Sequence, residues 1–216
     1  GRMGQQVCRL VEAEGHTLAA AVDRSGGEGF VSSLAEYTGP ADVVIDFSNA
    51  KAADGLLDYC VRTKTPVVLC TTGLSEEQLV KVEEAAKETA VLKSANMSLG
   101  INLLMKLLKE ATPTLAAAGF DIEIVEKHHN QKLDAPSGTA LALADSINEA
   151  SDGAYHYVYD RSQERKKRDS REIGISAVRG GTIVGDHDVI FAGTDEVITF
   201  EHRAYSRAVF GKGAIQ

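Results

Sequence analysis

Short apolar runs alternate with helix-like patterns over the first 95 residues of the chain. Leu56, Leu57 and Cys60 share one helical face, and Ser75 with Gln78 forms a capping box at the start of a second helix. Strands that alternate with helices in this way predict a parallel sheet. The predicted strands are 17–22, 41–47, 65–71 and 90–95.

The pattern changes from residue 100 onward. A stripe at Leu103, Leu104, Leu107 and Leu108 predicts one helix, and residues 139–150 predict another. Long β-rich segments accompany them, which predicts a mixed or antiparallel sheet covered by helices. Because these strands are broadly apolar, we expect both faces of the sheet to be buried, as in an oligomer that packs sheet against sheet. The predicted strands are 120–125, 172–178, 182–192 and 196–204.

Together these elements predict an α/β protein in two domains. A Rossmann-like domain with a parallel sheet takes residues 1–99 and a returning helix at 205–216, and an α+β domain for substrate binding and oligomerisation takes 100–204. The charged run 161–171 carries no aromatic residue and predicts a solvated loop. No strand precedes the first helix, so we expect the chain to be clipped, with a strand before residue 1 and more chain after residue 216.

Composition narrows the classes of function. The chain has 216 residues, 44% hydrophobic and 25% charged, which is typical of a globular protein. A formal charge of -8 argues against a nucleic-acid partner, and no apolar run approaches the length of a membrane span. Cys8, Cys60 and Cys70 follow no metal or redox spacing, which favours buried thiols in a reducing cytoplasm.

The segment 126–140 carries the most distinctive chemistry. His128, His129 and Lys132 stand just ahead of a Pro-Ser-Gly-Thr turn that opens a helix, with Ser137 as its expected N-cap. The first N–H groups of a helix lack internal partners and lie at the positive end of its dipole, so Ser137, Gly138 and Thr139 could bind a carboxylate. Lys132 could neutralise a second carboxylate, and a histidine suits a general acid.

A histidine pair after a strand is more often surface decoration or a satisfied polar contact than a catalytic site. The chemical interpretation therefore depends on its neighbours in sequence. Metal binding is disfavoured, because adjacent histidines project to opposite sides of a strand and no further ligand lies at the required spacing. The sequence thus predicts a site for a small dicarboxylate without a metal.

The amino terminus resembles the end of a glycine-rich turn that runs into a helix. Backbone N–H groups of such a turn, here at Gly1, Arg2 and Met3, bind a pyrophosphate. The strand 17–22 then ends at Asp23 and Arg24, about 20 positions later, where an acid accepts the ribose hydroxyls and a cation could reach a 2′-phosphate. An ordinary exposed strand end is the alternative for this pair.

Ligands of parallel sheets bind at the carboxyl ends of the strands. Small and polar residues at these ends fit a nicotinamide and its ribose, although turns also favour such residues. The residues assigned to this part of the cofactor site are Phe47, Cys70, Thr71, Thr72, Ser94, Ala95, Asn96 and Met97.

With these motifs in view, the chain resembles the dihydrodipicolinate reductase family over essentially its whole length. The family pattern E-x-H-H-x-x-K-x-D-A-P-S-G-T-A is matched throughout 126–140, and GRMG, DFS, TTG, ANMSLGIN and VRGGTIVGDH resemble it as well. The resemblance implies reduction of 4-hydroxy-tetrahydrodipicolinate to tetrahydrodipicolinate with NADH or NADPH, in the diaminopimelate route to lysine. It also implies a cytoplasmic homotetramer built through the sheet of the second domain.

The resemblance also assigns roles by position. It makes His128 the catalytic acid, Lys132 the catalytic lysine and His129 a substrate contact, with Gly138 and Thr139 in the carboxylate loop. Cys70 replaces an expected glycine and Met97 a common aromatic residue, and Asp23 in place of the commoner glutamate leaves the choice between NADH and NADPH open.

Two alternatives stay open from the residues. A semialdehyde or homoserine dehydrogenase is disfavoured because such enzymes lack the paired histidines before a Pro-Ser-Gly-Thr turn. A non-catalytic nucleotide-sensing protein with the same fold is disfavoured by the presence of both His128 and Lys132. A cofactor-oxidation assay with the cyclic substrate discriminates between these alternatives.

Overall fold

The computed structural model describes residues 1–26 and 29–216 and divides the chain into two compact units. Unit 1 comprises Gly1–Ser98 with Arg207–Gln216, and unit 2 comprises Leu99–Ser206. The two units are described separately below.

Unit 1 has the Rossmann-like alternation of strands and helices that the sequence predicts. Its strands pair in parallel as a two-stranded sheet β1-β2 and a three-stranded sheet β3-β4-β5. The predicted strand 17–22 is too long, because only Ala21 and Val22 find partners, in the equally short β2. The elements are α1 Arg2–Ala13, β1 Ala21–Val22, β2 Phe30–Val31, β3 Val44–Asp46, α2 Ala53–Thr63, β4 Val67–Leu69, α3 Glu76–Ala86 and β5 Val91–Lys93.

The core of unit 1 lies between α2, α3 and the three-stranded sheet. Leu57 and Cys60 of α2 are buried against Val67 and Leu69 of β4. Helix α3 begins with the predicted capping box: Ser75 Oγ accepts from the Gln78 amide, and the Gln78 side chain accepts from the Ser75 amide. The predicted helix start is therefore confirmed.

Unit 2 is a five-stranded mixed sheet with two helices, as the sequence predicts. The strand order is β10-β9-β6-β8-β7, in which β6 pairs in parallel with β8 and antiparallel with β9. The elements are α4 Leu99–Ala117, β6 Asp121–His128, α5 Gly138–Glu149, β7 His156–Val158, β8 Glu172–Arg179, β9 Gly185–Ala192 and β10 Val197–Ala204.

In the described residues, the helices of unit 2 cover one face of this sheet. Ile122 and Ile124 of β6 alternate inward and pack with Leu108 of α4, Leu143 of α5 and Phe191 of β9 in one buried cluster. Both helices of unit 2 lie on this face, and in the described residues no helix of the unit packs on the other. The opposite face, here called the open face, contains Val125, Lys127, Val178 and Asp188.

The charged run 161–171 forms no helix or strand, and two of its arginines bond to acids of the sheet. Arg161 bonds to the carboxylates of Glu123 and Glu172, and Arg168 bonds to Asp121 and Glu123. The run is exposed, as expected for a solvated loop, except at half-buried Arg168, which acids on β6 hold against the sheet.

The predicted returning helix is α6, Ala208–Ile215, and it packs on α1 within unit 1. Two glycines of α6 allow a close approach. A Cβ at Gly211 would lie 2.7 Å from Leu10 Cδ1, and a Cβ at Gly213 would overlap the carbonyl oxygen of Met97. Helix α6 therefore rests directly on the loop that follows β5.

Candidate active site

His128 is the last residue of β6, so the strand runs three residues beyond its predicted end at residue 125. Because side chains alternate along a strand, Glu126 and His128 share the inward face. Glu126 Oε2 lies 2.6 Å from His128 Nδ1, and the Glu126 side chain is 0% exposed. The strand thus presents a histidine whose Nδ1 nitrogen is held by a buried carboxylate.

Arg179 completes the surroundings of that carboxylate. Arg179 is the last residue of β8 and lies opposite His128 in the parallel ladder. Its two terminal nitrogens each lie 2.7 Å from a different oxygen of Glu126, and Nη2 also donates to the carbonyl of Asp134 at 2.8 Å. Burial alone would raise the pKa of Glu126, but hydrogen bonds from His128, Arg179 and the Ser137 amide lower it to about 2.

Ser137 joins the same cluster to the start of α5. Its hydroxyl caps the helix by accepting from the Ala140 amide at 3.1 Å and lies 3.0 Å from His187 Nε2, while its own amide donates to Glu126 at 2.9 Å. The N-cap predicted for Ser137 is therefore confirmed. The amide and hydroxyl of Ser137 already have protein partners. A ligand at this helix start would therefore bind chiefly to the backbone of the residues that follow Ser137.

His187 of β9 is a second histidine in the cluster. Its ring lies edge-on to that of His128, with the centroids 5.1 Å apart. Burial, reinforced by the nearby positive charge of His128, lowers the pKa of His187 to about 3. His187 is therefore neutral at physiological pH, and only His128 of the two contacts a carboxylate.

The loop between β6 and α5 carries the remaining predicted substrate residues. Lys132 Nζ lies 2.8 Å from Asp134 Oδ1, and the Lys132 amide donates to the carbonyl of His129. Gly138 begins α5, and a Cβ built there would meet nothing within 4 Å, so there is open space beside its backbone. Thr139 follows in the first turn. The predicted substrate residues thus lie along one continuous segment.

The sequence interpretation assigned no role to Glu126, Arg179 or His187. Glu126 could have been found from its spacing, since residues i and i+2 of a strand face the same way. Arg179 and His187 belong to the VRGGTIVGDH segment, but the local sequence does not predict that they lie next to β6. The sheet register places them there, because Arg179 pairs with His128 and His187 pairs with Glu126.

Asp23 follows β1 in unit 1, and its carboxylate accepts from the Ser25 amide at 3.0 Å. Helix α1 begins at Arg2 with neither a capping side chain nor an acid in its first turn, and Met3 is the next residue of that turn. An open pocket of about 610 Å³ is lined by Asp23, Arg24, Ser25, Asn49 and Lys51. These features fit the ribose and phosphates of a dinucleotide.

The other predicted cofactor residues lie where β3, β4 and β5 end. Asp46, at the end of β3, accepts from Thr71 Oγ1 at 2.6 Å, whereas Thr72 is exposed. The loop after β5 is held internally, because Ser94 Oγ donates to the Asn96 carbonyl at 2.8 Å. Phe47 follows Asp46 in sequence and is half-buried. Ala95 lies between Ser94 and Asn96 and is exposed.

Cys70 and Met97 point inward rather than toward the strand ends. Both are buried in a small cluster with Ala214 of α6, and burial raises the pKa of the Cys70 thiol to about 12. Cys70 and Met97 could therefore contact a cofactor only through their main-chain atoms.

In the part of the chain that the structure describes, no group of three or more His, Cys, Asp or Glu side chains could hold a metal ion. No helix of that part has the length and apolar character needed to cross a membrane.

Comparisons with known proteins cover both units. The family models "Dihydrodipicolinate reductase, N-terminus" and "Dihydrodipicolinate reductase, C-terminus" match residues 1–97 and 100–216. The chain is 54% identical to the 4-hydroxy-tetrahydrodipicolinate reductase of Caldanaerobacter subterraneus subsp. tengcongensis, over 100% of this chain and 87% of that one. It is 46% identical to the enzyme of that name from Staphylococcus epidermidis, over 100% and 89%.

A solved structure agrees with these relatives. The dipicolinate-bound dihydrodipicolinate reductase from Paenisporosarcina sp. TG-14 superposes with a TM-score of 0.71 at 26% identity, covering 100% of this chain and 88% of that one. The WlbA dehydrogenase from Bordetella pertussis, at 12% identity and a TM-score of 0.58 over 94% and 71% of the two chains, shares the fold alone.

Proposed function

Because this chain belongs to the dihydrodipicolinate reductase family, we propose that it reduces 4-hydroxy-tetrahydrodipicolinate to tetrahydrodipicolinate with NADH or NADPH, in the diaminopimelate route to lysine. The observation that carries this proposal is the pairing of His128 with a buried carboxylate directly ahead of the α5 amino terminus. An acid, a cation and helix N–H groups suit a small dicarboxylate that must be protonated.

The proposed roles follow from the contacts of each residue. The bound NADH or NADPH supplies a hydride. The 4-hydroxyl group of the substrate leaves with a ring proton as water, and the hydride and one proton then add to the unsaturated ring. His128 gives that proton from Nε2, since its Nδ1 is engaged by Glu126. Lys132 binds one carboxylate of the substrate, and the backbone of Gly138 and Thr139 binds the other, with the helix dipole favouring the negative charge. His129 provides a further substrate contact.

Unit 1 is the proposed dinucleotide-binding domain, and unit 2 the proposed domain for substrate binding and oligomerisation. Gly1, Arg2 and Met3 would take the pyrophosphate and Asp23 the adenosine ribose. Arg24 and Lys51, which line the cavity beside Asp23, supply positive charge for a 2′-phosphate, so NADPH fits as well as NADH. Phe47, Cys70, Thr71, Thr72, Ser94, Ala95, Asn96 and Met97 are proposed for the nicotinamide side.

A homotetramer assembled through the open face of unit 2 is part of the proposal. Support comes from Val178, a large apolar side chain that is 46% exposed beside the ion pair of Lys127 and Asp188. Isolated exposed apolar side chains are ordinary on protein surfaces, so this part of the proposal rests mainly on the resemblance to the family. A cytoplasmic location is also proposed, because Cys8, Cys60 and Cys70 form no disulfide.

The test is a cofactor-oxidation assay on the purified chain. Loss of NADH or NADPH absorbance is followed with the cyclic substrate present and absent, with His128→Ala as the inactive control. The proposal requires substrate-dependent oxidation of at least one cofactor. Tight binding of a cofactor without any turnover would favour the nucleotide-sensing alternative instead.

A further inference from the structure

The carboxylate of Glu126 is fully committed to protein donors. Oε2 accepts from His128 Nδ1 at 2.6 Å and from Arg179 Nη1 at 2.7 Å, while Oε1 accepts from Arg179 Nη2 at 2.7 Å and the Ser137 amide at 2.9 Å. These donors come from β6, β8 and the start of α5. A fully buried carboxylate is costly unless it is satisfied in this way. It cannot itself contact a ligand, because both oxygens are occupied and it is 0% exposed.

The charges around His128 give this carboxylate a specific effect. Arg179 is the cation opposite His128 in the ladder, His187 beside the ring is neutral, and Glu126 is the anion in direct contact with the imidazole. Cations disfavour a protonated imidazole, and a neighbouring anion favours it. Glu126 thus offsets the positive charge that Arg179 places beside a residue that must itself carry a proton.

The same contact fixes the orientation of the ring. With Nδ1 held by Glu126, the other nitrogen, Nε2, lies against the backbone of Gly185 at the start of β9. A Cβ built on Gly185 would lie 3.0 Å from Nε2. The missing side chain therefore keeps space beside the nitrogen that would release the proton.

We propose that Glu126 is the positioning residue of this site, holding the proton and ring orientation of His128 and, through Arg179 and Ser137, aligning the loop 129–137 with it. This inference rests on the proposed function, in which His128 is the acid. It adds a role for a group that touches neither substrate nor cofactor. By fixing Nδ1, the carboxylate leaves Nε2 as the nitrogen that transfers the proton.

The test is Glu126→Gln, which keeps the side-chain volume and removes the charge. We expect kcat at neutral pH to fall about 10- to 100-fold, a part of the ~10²–10⁴-fold that general acid catalysis contributes. The pH profile of kcat should also change, because the group in contact with Nδ1 has lost its charge. The Kd for NADH should change less than twofold.

The matched control is Glu123→Gln, on the same strand but on the open face, where the carboxylate pairs with Arg161. It should leave both kcat and the pH profile unchanged. Glu126→Asp restores the charge with a shorter reach and should return the pH profile toward that of the wild type while kcat stays reduced. This variant also serves if Glu126→Gln does not fold. A merely structural role would lower stability in all Glu126 variants without moving the profile.

Nitrogen NMR of the His128 ring separates this proposal from the proposed function. In the wild-type chain the neutral ring should carry its proton on Nδ1, and in Glu126→Gln it should become a mixture of tautomers. An unchanged tautomer and an unchanged pH profile would overturn the positioning role even if the enzyme turns over. Absence of turnover by the wild type, with the tautomer difference present, would instead count against the proposed function alone.

Discussion

Arg179 meets Glu126 end-on, with two hydrogen bonds of 2.7 Å that join the ends of β8 and β6. The two residues are 53 positions apart in sequence and adjacent in the sheet. Paired charges of this kind stabilise the fold only while both are present, because removing one leaves the other buried without its partner.

Arg179→Met should therefore lower the free energy of unfolding by about 3–5 kcal/mol, measured by urea denaturation. The control is Arg203→Met, which loses only a half-exposed ion pair with Glu201 and should change stability by less than about 1 kcal/mol. The double variant Glu126→Gln with Arg179→Met should recover part of the loss. Equal stability of the single variant and the wild type would show that the pair does not support the fold.

Acid should destabilise the protein through His187. Burial lowers the pKa of His187 from 6.5 to about 3, so the unfolded chain binds a proton at a pH where the folded chain does not. The contribution of His187 is fully present above pH 6.5 and is lost as the pH falls toward 3. Between pH 8 and pH 5 the loss amounts to about 2 kcal/mol.

Urea midpoints at pH 8 and pH 5 measure this effect. His187→Gln should show a smaller difference between the two values than the wild type, since glutamine does not titrate. His156→Gln replaces an exposed histidine on β7 of the same unit and should behave like the wild type. The explanation fails if His187→Gln retains the full acid sensitivity.

His128→Ala should lower kcat by ~10²–10⁴-fold, the range typical of general acid catalysis, with a smaller effect on KM. Steady-state cofactor oxidation measures both constants. His156→Ala is the control for loss of an imidazole from unit 2. An unchanged kcat in His128→Ala would remove this residue from the chemistry.

Gly213→Ala should disturb the loop after β5, because the added Cβ would overlap the Met97 carbonyl oxygen. We expect a loss of about 1–3 kcal/mol in stability, as for other overpacked sites, together with weaker NADH binding by fluorescence titration. Gly55→Ala is the matched control: this helical glycine of α2 has nothing within 4 Å of a built Cβ, so alanine should stabilise the unit by about 0.5–1 kcal/mol. NADH affinity that is equal in both variants would exclude the proposed influence of α6 on the loop.

Val178→Arg should shift the protein toward smaller assemblies, because it places a charge on the open face of unit 2. Sedimentation velocity over a range of concentrations measures the assembly state. The control is Val80→Arg in α3 of unit 1, where the valine is 57% exposed, a little more than the 46% of Val178. A tetramer that survives Val178→Arg but not Val80→Arg would place the contact elsewhere.

The sequence pattern predicted the helix starts and strands that depend mainly on residues close to one another in the chain. The capping box at Ser75 and the N-cap at Ser137 could be read from sequence because a helix start depends on the few residues around it. The mixed sheet and the parallel sheet were likewise predicted from periodicity. The end of β6 was missed by three residues because Glu126 and His128 are polar, although both are buried.

Contacts between distant segments could not be predicted from the same pattern. The residues around Arg179 do not predict its contact with Glu126. Likewise, the residues around Gly213 do not predict its contact with the Met97 carbonyl. The two-residue length of β1 has the same origin, since a strand extends only as far as its partner does. Similarly, Arg168 belongs to a run whose composition favours solvent, yet acids on β6 hold it half-buried.

Ser137 has three hydrogen-bonding partners, and they come from β6, β9 and α5. The turn that it begins is consequently rigid before any anion arrives, and a ligand does not have to restrict its motion on binding. The affinity for an anion at this helix start then depends on how well the anion fits the turn, and not on the entropy cost of ordering the turn.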